Sequence, residues 1–271
     1  MSAPGPHRIL IELGQAMAEG EGIEAAALLA RLLGHELRGV FVEDEALLTL
    51  AAHPFARELR LPSHAWSAMD AGALASGLGL AAARLRRALA AACARLGVEG
   101  GFEVRRGDPA ACLAGLCGVD DILALAAPDS AAGRAIGAFP QAWRAALASA
   151  GGVLLLPSRL ARRRGPVAAV AGSAVGEEVA LRLAVAAGEP LLLLTAADRP
   201  APEAAVADRA RRAGLMPPRI LTRRLAASTA GAVAEALGRF EEGLLVLARE
   251  DAAVEEGPAL AARRRVPVLV R

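Results

Sequence analysis

A chain of 271 residues is long enough for about two domains at roughly 100–200 residues each, and at 55% hydrophobic it can bury a full core. It has no lysine, asparagine or tyrosine, so all 31 basic residues are arginine, which excludes a P-loop lysine, Schiff-base chemistry, the protein-kinase ion pair and N-glycosylation. A net charge of +2 with 3% aromatics gives no basic, stacking surface, so nucleic acid is not an expected partner.

From the N-terminus, Met1 to Arg8 lacks a charged segment followed by an apolar one, so no secretory signal is expected and the predicted location is cytoplasmic. Short apolar runs then alternate with alanine- and leucine-rich stretches of helical period. Strands are predicted at Arg8 to Leu13, Leu37 to Val42, Gly101 to Arg106, Ile122 to Ala126 and Val153 to Leu156. Helices are predicted at Ile23 to Leu33, Ala73 to Leu96, Pro109 to Leu116 and Pro140 to Ser149. Most of the strands are apolar at consecutive positions, as in a parallel sheet with helices on both faces. Asp108 with Pro109 reads as a helix start, and Gly97 as a helix stop. Cys93, Cys112 and Cys117 are an odd set without a second C-x4-C pair or a nearby histidine, and read as small apolar residues.

Arg159 and Arg162 to Arg164 form a charge run, read as a solvated linker over 159–165 between domains 1–158 and 166–271. Up to Ser158 there are 13 Arg against 16 acids, and beyond it 18 against 13. The longest uncharged runs, such as Ala145 to Ser158 at 14 residues, are short of the roughly 20 that span a bilayer, so no membrane partner is expected. Beyond the linker, strands are predicted at Val167 to Ala171, Leu191 to Thr195, Arg219 to Thr222, Leu244 to Ala248 and Pro267 to Val270. An arginine pair recurs (Arg105-Arg106, Arg223-Arg224), followed through a helix by an acid doublet ahead of an apolar strand (Asp120-Asp121, Glu241-Glu242). This echo suggests duplication of one doubly wound domain, with the excess of the first copy between Phe41 and Ala73.

Arg8-Ile9-Leu10-Ile11, the turn Arg106-Gly107-Asp108-Pro109-Ala110, the acid-led Asp120-Asp121-Ile122-Leu123 and the stretch from Gly39 to Glu58 resemble a tandem universal stress protein over nearly the whole chain. The resemblance implies an α/β fold of two doubly wound, parallel five-stranded sheets of order 3-2-1-4-5, in the manner of the adenine nucleotide alpha hydrolases. It also implies stress-linked expression and pairing of domains through the last strand. In nucleotide-binding members it implies an adenine nucleotide at the carboxyl ends of the strands. These members carry an aspartate after the first strand and a G-x2-G-x9-G-(S/T) loop after the fourth. In this chain the aspartate position falls on Gly14, before Gln15, and on Ala171, before Gly172 and Ser173. The first loop, from Ala127 to Gly137, has only a G-x3-G pair. The second, from Arg249 to Gly257, holds acids where phosphate oxygens would lie.

Low-specificity ligand candidates are therefore Gly14, Gln15 and Val42 at the ends of the first two strands, Gly133, Arg134 and Gly137 in the first loop, and Gly172 with Ser173 at a helix start. Each has a plainer reading as turn, cap or loop. Glu43, Asp44 and Glu45 read either as crevice carboxylates for metal or acid-base work, or as a helix cap with solvated acids. His7, His35, His53 and His64 lack ligand spacing, and no nucleophile motif is present, so no catalytic or metal residue is assigned. The expected function is a non-enzymatic stress-response or interaction module with lost or altered nucleotide binding. Expected partners are a protein or a second copy, as a homodimer, through the last strands. The alternatives are ATP, AMP or a small anion in the first domain, and a metal-dependent enzyme.

Overall fold

The computed structural model describes residues 7–14, 20–60, 64–161, 164–196 and 203–271. Its first half runs β1 (Arg8–Glu12), α1 (Glu21–Leu33), β2 (Glu36–Asp44), α2 (Glu45–Ala51), β3 (Arg57–Arg60), β4 (Ala65–Ala68), α3 (Ala71–Leu96), β5 (Gly100–Gly107), α4 (Pro109–Leu116), β6 (Ile122–Ala127), α5 (Ala131–Ala135), α6 (Phe139–Ser149) and β7 (Gly152–Pro157). The second runs β8 (Val167–Val170), α7 (Ala174–Ala187), β9 (Leu191–Ala196), α8 (Glu203–Arg212), β10 (Ile220–Leu225), α9 (Ala230–Leu237), β11 (Leu244–Leu247), α10 (Gly257–Arg264) and β12 (Val268–Val270). All ten strands read from apolar runs form, with ends shifted by a residue or a few. The excess of the first half is α2, the antiparallel hairpin β3–β4, the short α5 and a longer α3.

The ten strands make one sheet of order β10-β9-β8-β11-β12-β7-β6-β1-β2-β5. Each half by itself has its third, second, first, fourth and fifth strands side by side, all parallel. The two last strands, β7 and β12, pair antiparallel, with Leu155 opposite Val268 and Val153 opposite Val270. Apolar last strands would expose unpaired backbone at two sheet edges, and pairing them within the chain removes both.

Helices cover both faces, which is why successive strand residues are apolar. Ile9, Ile11, Leu154, Leu191 and Leu193 face α1, α3, α7 and α8. Leu10, Leu123, Leu155, Leu192 and Leu194 face α4, α6, α9 and α10. Helix starts follow the capping chemistry of the sequence: Asp108 accepts the Ala111 amide at 2.8 Å, and Asp44 accepts those of Ala46 and Leu47. Gly97 closes α3 at φ 66°, in the left-handed region that suits glycine.

The acid doublets have a structural meaning. In each, the second acid is buried and grips an arginine with both oxygens: Asp121 holds Arg8 at 2.9 Å, and Glu242 holds Arg264 at 2.7 Å. The partners come from different elements, β1 in one half and α10 in the other, so the echo preserves the acid and not its pairing. Both arginine pKa values are raised by these bonds.

The linker between the halves is packed at both described ends. Leu160 donates its amide to Glu21 at 3.0 Å, and Ala161 donates to the Arg265 carbonyl at 2.8 Å. At Gly165, φ is 142° and a Cβ would come 2.1 Å from the Glu241 carbonyl, so only glycine fits.

Candidate functional site

In an open α/β sheet, ligands sit beyond the carboxyl ends of the strands where the strand order reverses. Here that point lies between β1 and β6 in the first half and between β8 and β11 in the second.

In the second half, β8 runs through Ala171 and Gly172 to Ser173, which caps α7. Gly172 has φ 140°, so its amide can turn toward the helix start. That amide is already used: it donates to Glu177 Oε1 at 3.0 Å. Glu177 is buried, and its other oxygen is ion-paired with Arg209 from α8. A side-chain carboxylate thus already accepts the amide that the turn presents at the helix start, with an arginine as its counter-charge. Nearby on β9, the buried Thr195 hydroxyl has no partner among the described residues.

The loop after β11 is closed on itself. The Ala248 amide donates to the Asp251 carboxylate at 2.7 Å, the Asp251 amide to the Ala248 carbonyl, and the Arg249 amide to the Arg271 carbonyl at 2.8 Å. Arg249 extends its guanidinium to the carbonyls of Leu147 and Ala150 at the end of α6, where a cation is favoured by the helix dipole. The exposed Glu250 carboxyl is held below the usual range, first by its own backbone N–H and then by the nearby Ser173 hydroxyl.

In the first half, β1 ends at Glu12, followed by Leu13 and Gly14. Gln15 lies outside the described residues. Burial pushes the Glu12 carboxyl up, and a Cβ at Gly14 would come 2.8 Å from Glu12 Oε1. Val42, partly buried on β2, packs against the core on the α4 and α6 side. Beyond β6, Ser130 accepts the Gly133 amide at 2.9 Å. Arg134 turns back on its own loop and donates to the carbonyls of Pro128 at 2.8 Å and Asp129 at 2.6 Å. Gly137, at φ 90°, is open and exposed.

Gly133 and Arg134 thus lie in the short α5 and Gly137 just after it, beyond the carboxyl end of β6, while Gly172 and Ser173 lie in the other half. Of the carboxylate candidates, Glu43 pairs with Arg106 at 2.8 Å, Asp44 is a cap, and Glu45 is exposed in the first turn of α2. Among the described residues no group of three histidine, cysteine or acidic side chains could hold a metal, and no helix is long and apolar enough to cross a membrane. Cys117 is pushed up to about 11, by burial first and Asp121 second, so its thiol stays protonated and unreactive near neutral pH.

No family model matches the sequence, and no curated protein matches it. Among solved structures, the chain is similar to a universal stress protein from Archaeoglobus fulgidus DSM 4304, at 11% identity over 97% of this chain and 95% of that one, with a TM-score of 0.63. The fold is that of the universal stress proteins. Two structures from Pseudomonas aeruginosa match at 16% identity over 98% of this chain with TM-scores of 0.51, a putative universal stress protein from strain UCBPP-PA14 and a functionally unknown protein from strain PAO1.

Glu177 and Arg209 escape the sequence reading, as does the closed Arg249–Asp251 turn. A signal for Glu177 does exist: it sits on the apolar stripe of α7 with Ala180, Leu181 and Ala184, where a solvated acid has no place.

Proposed function

We propose that this chain is a universal-stress-type protein of the cytoplasm that acts in the stress response through contacts with other proteins, its nucleotide site lost from the second half and altered in the first. The observation that carries this reading is the internal carboxylate of Glu177 on the Gly172 amide, locked by Arg209. A triphosphate there would meet Glu177 and Glu250 instead of open amides, and would have to displace a buried ion pair. In the first half, the donors best placed for phosphate, the Gly133 amide and the Arg134 guanidinium, are also engaged. The residues present do not fit the adenine nucleotide that the fold suggests.

The interaction half of the reading is supported by the extra segment of the first half. There Phe55 is 83% and Trp66 61% exposed, with Leu59 directly across the hairpin from Trp66. Large apolar side chains grouped on a surface mark contact sites more often than solitary ones do. Self-association through the last strands would require opening the β7–β12 pair.

Isothermal titration of the intact protein with ATP and with AMP tests the nucleotide reading. No saturable heat is expected. A micromolar dissociation constant would overturn it, and its loss in Arg134→Ala would assign binding to the first half.

A further inference from the structure

A cavity of about 400 Å³ opens between α1 and α7, over the sheet where the two halves meet. It lies at the amino ends of β8 and β11, whose first residues Val167 and Leu244 line it, and so at the opposite end of those strands from the crevice of the second half. Its size is within the range of about 300–1,000 Å³ typical of small-molecule pockets.

The lining is chemically narrow. Leu28 of α1, Leu183 of α7, Leu154 of β7 and Leu160 of the linker supply aliphatic walls. Among the described lining residues there is no aromatic ring and no serine, threonine, glutamine or histidine. A base would find nothing to stack on, and a sugar would leave its hydroxyls unpaired at a cost. The polar groups are all charged: Arg31, Arg95 and Arg164 against Glu24 and Glu189. Glu24 is engaged with Arg95 at 2.8 Å, whereas Arg31, Arg164 and Glu189 have no ion-pair partner among the described residues, so the two arginines outnumber the one acid. The guanidinium fork suits a carboxylate. Two described linker residues of the wall are held, because Glu21 accepts the Leu160 amide and Gly165 is pressed against the Glu241 carbonyl, so they would cost little ordering on binding.

We propose that this cavity binds a single-chain amphiphilic carboxylate, with its aliphatic tail between α1 and α7 and its head at Arg31 and Arg164. This does not depend on the fate of the nucleotide crevices.

Decanoate, titrated calorimetrically into the full-length protein below its micellar range, tests it, with decanol as the uncharged control. One-to-one binding in the micromolar range is expected, weaker by about tenfold or more in Arg31→Gln/Arg164→Gln, the loss of roughly one charge-assisted bond. Ala186→Trp, at an exposed wall position, should abolish binding while leaving the melting transition cooperative. Absence of heat up to millimolar decanoate would overturn the proposal. So would affinity unchanged in Ala186→Trp, or decanol binding as tightly as decanoate.

Discussion

At the scale of single residues, the carboxylate of Glu177 accepts the Gly172 amide at the start of α7. Removing it leaves the Arg209 guanidinium and the Gly172 amide unpaired, a cost of about 3 kcal/mol for a largely buried pair with one partly exposed partner. Glu177→Ala is therefore expected to melt lower than the wild type and to be raised again by inorganic phosphate, which can occupy the vacated position. Thermal melts with and without phosphate check this, and an equal response in both proteins would contradict it. Glu12 gives a pH dependence. Its carboxyl is raised in the folded state by burial. Below the ordinary glutamate value it is protonated in both states and costs nothing. As pH rises from that value to the raised one, the unfolded chain ionises first, so stability is lost across this window. Glu12→Gln should remove that fall, so denaturant unfolding of the two proteins should diverge in favour of the variant as pH increases. Beyond the place of Glu177 on an apolar helix stripe, neither role is legible in the sequence, because Arg209 reaches Glu177 from 32 positions away and the surroundings of Glu12 are set by the fold.

Elements were legible in proportion to how much core they touch. The strands buried on both faces imprint unbroken apolar runs, such as Val153 to Leu156 and Leu191 to Leu194, and these were readable to within a few residues. The hairpin β3–β4 was not, since it lies outside the main sheet and most of its described side chains are exposed, so burial imposes no period on it. The arginines of the linker read as solvated, and Arg159 and Arg164 are exposed, while Gly165 is pinned against the backbone before β11. Gly165→Ala should therefore destabilise by about 1–3 kcal/mol from the positive φ alone, and more from the displaced carbonyl. Chemical denaturation measures this, and a neutral effect would mean that the linker is not packed as described.

For the whole molecule, the repeat seen in the sequence becomes two five-stranded halves fused by the antiparallel β7–β12 pair. Val153, Leu154, Leu155, Val268, Leu269 and Val270 are fully buried along that seam, and Arg249 ties the second half to the end of α6. A junction of this kind should couple the halves, so heating is expected to give one cooperative transition, and two separated calorimetric peaks would contradict it. The two halves were legible because both repeat the same run of apolar strands. The contact of Glu177 with Gly172 and Arg209 was not, because it depends on which side chains meet after folding. The most direct measurement is an ATP titration of the nitrogen-15-labelled protein, following the Gly172 and Ser173 amide resonances. They should stay in place, since Glu177 and Glu250 already occupy their surroundings; saturable shifts at both would show that nucleotide still binds there.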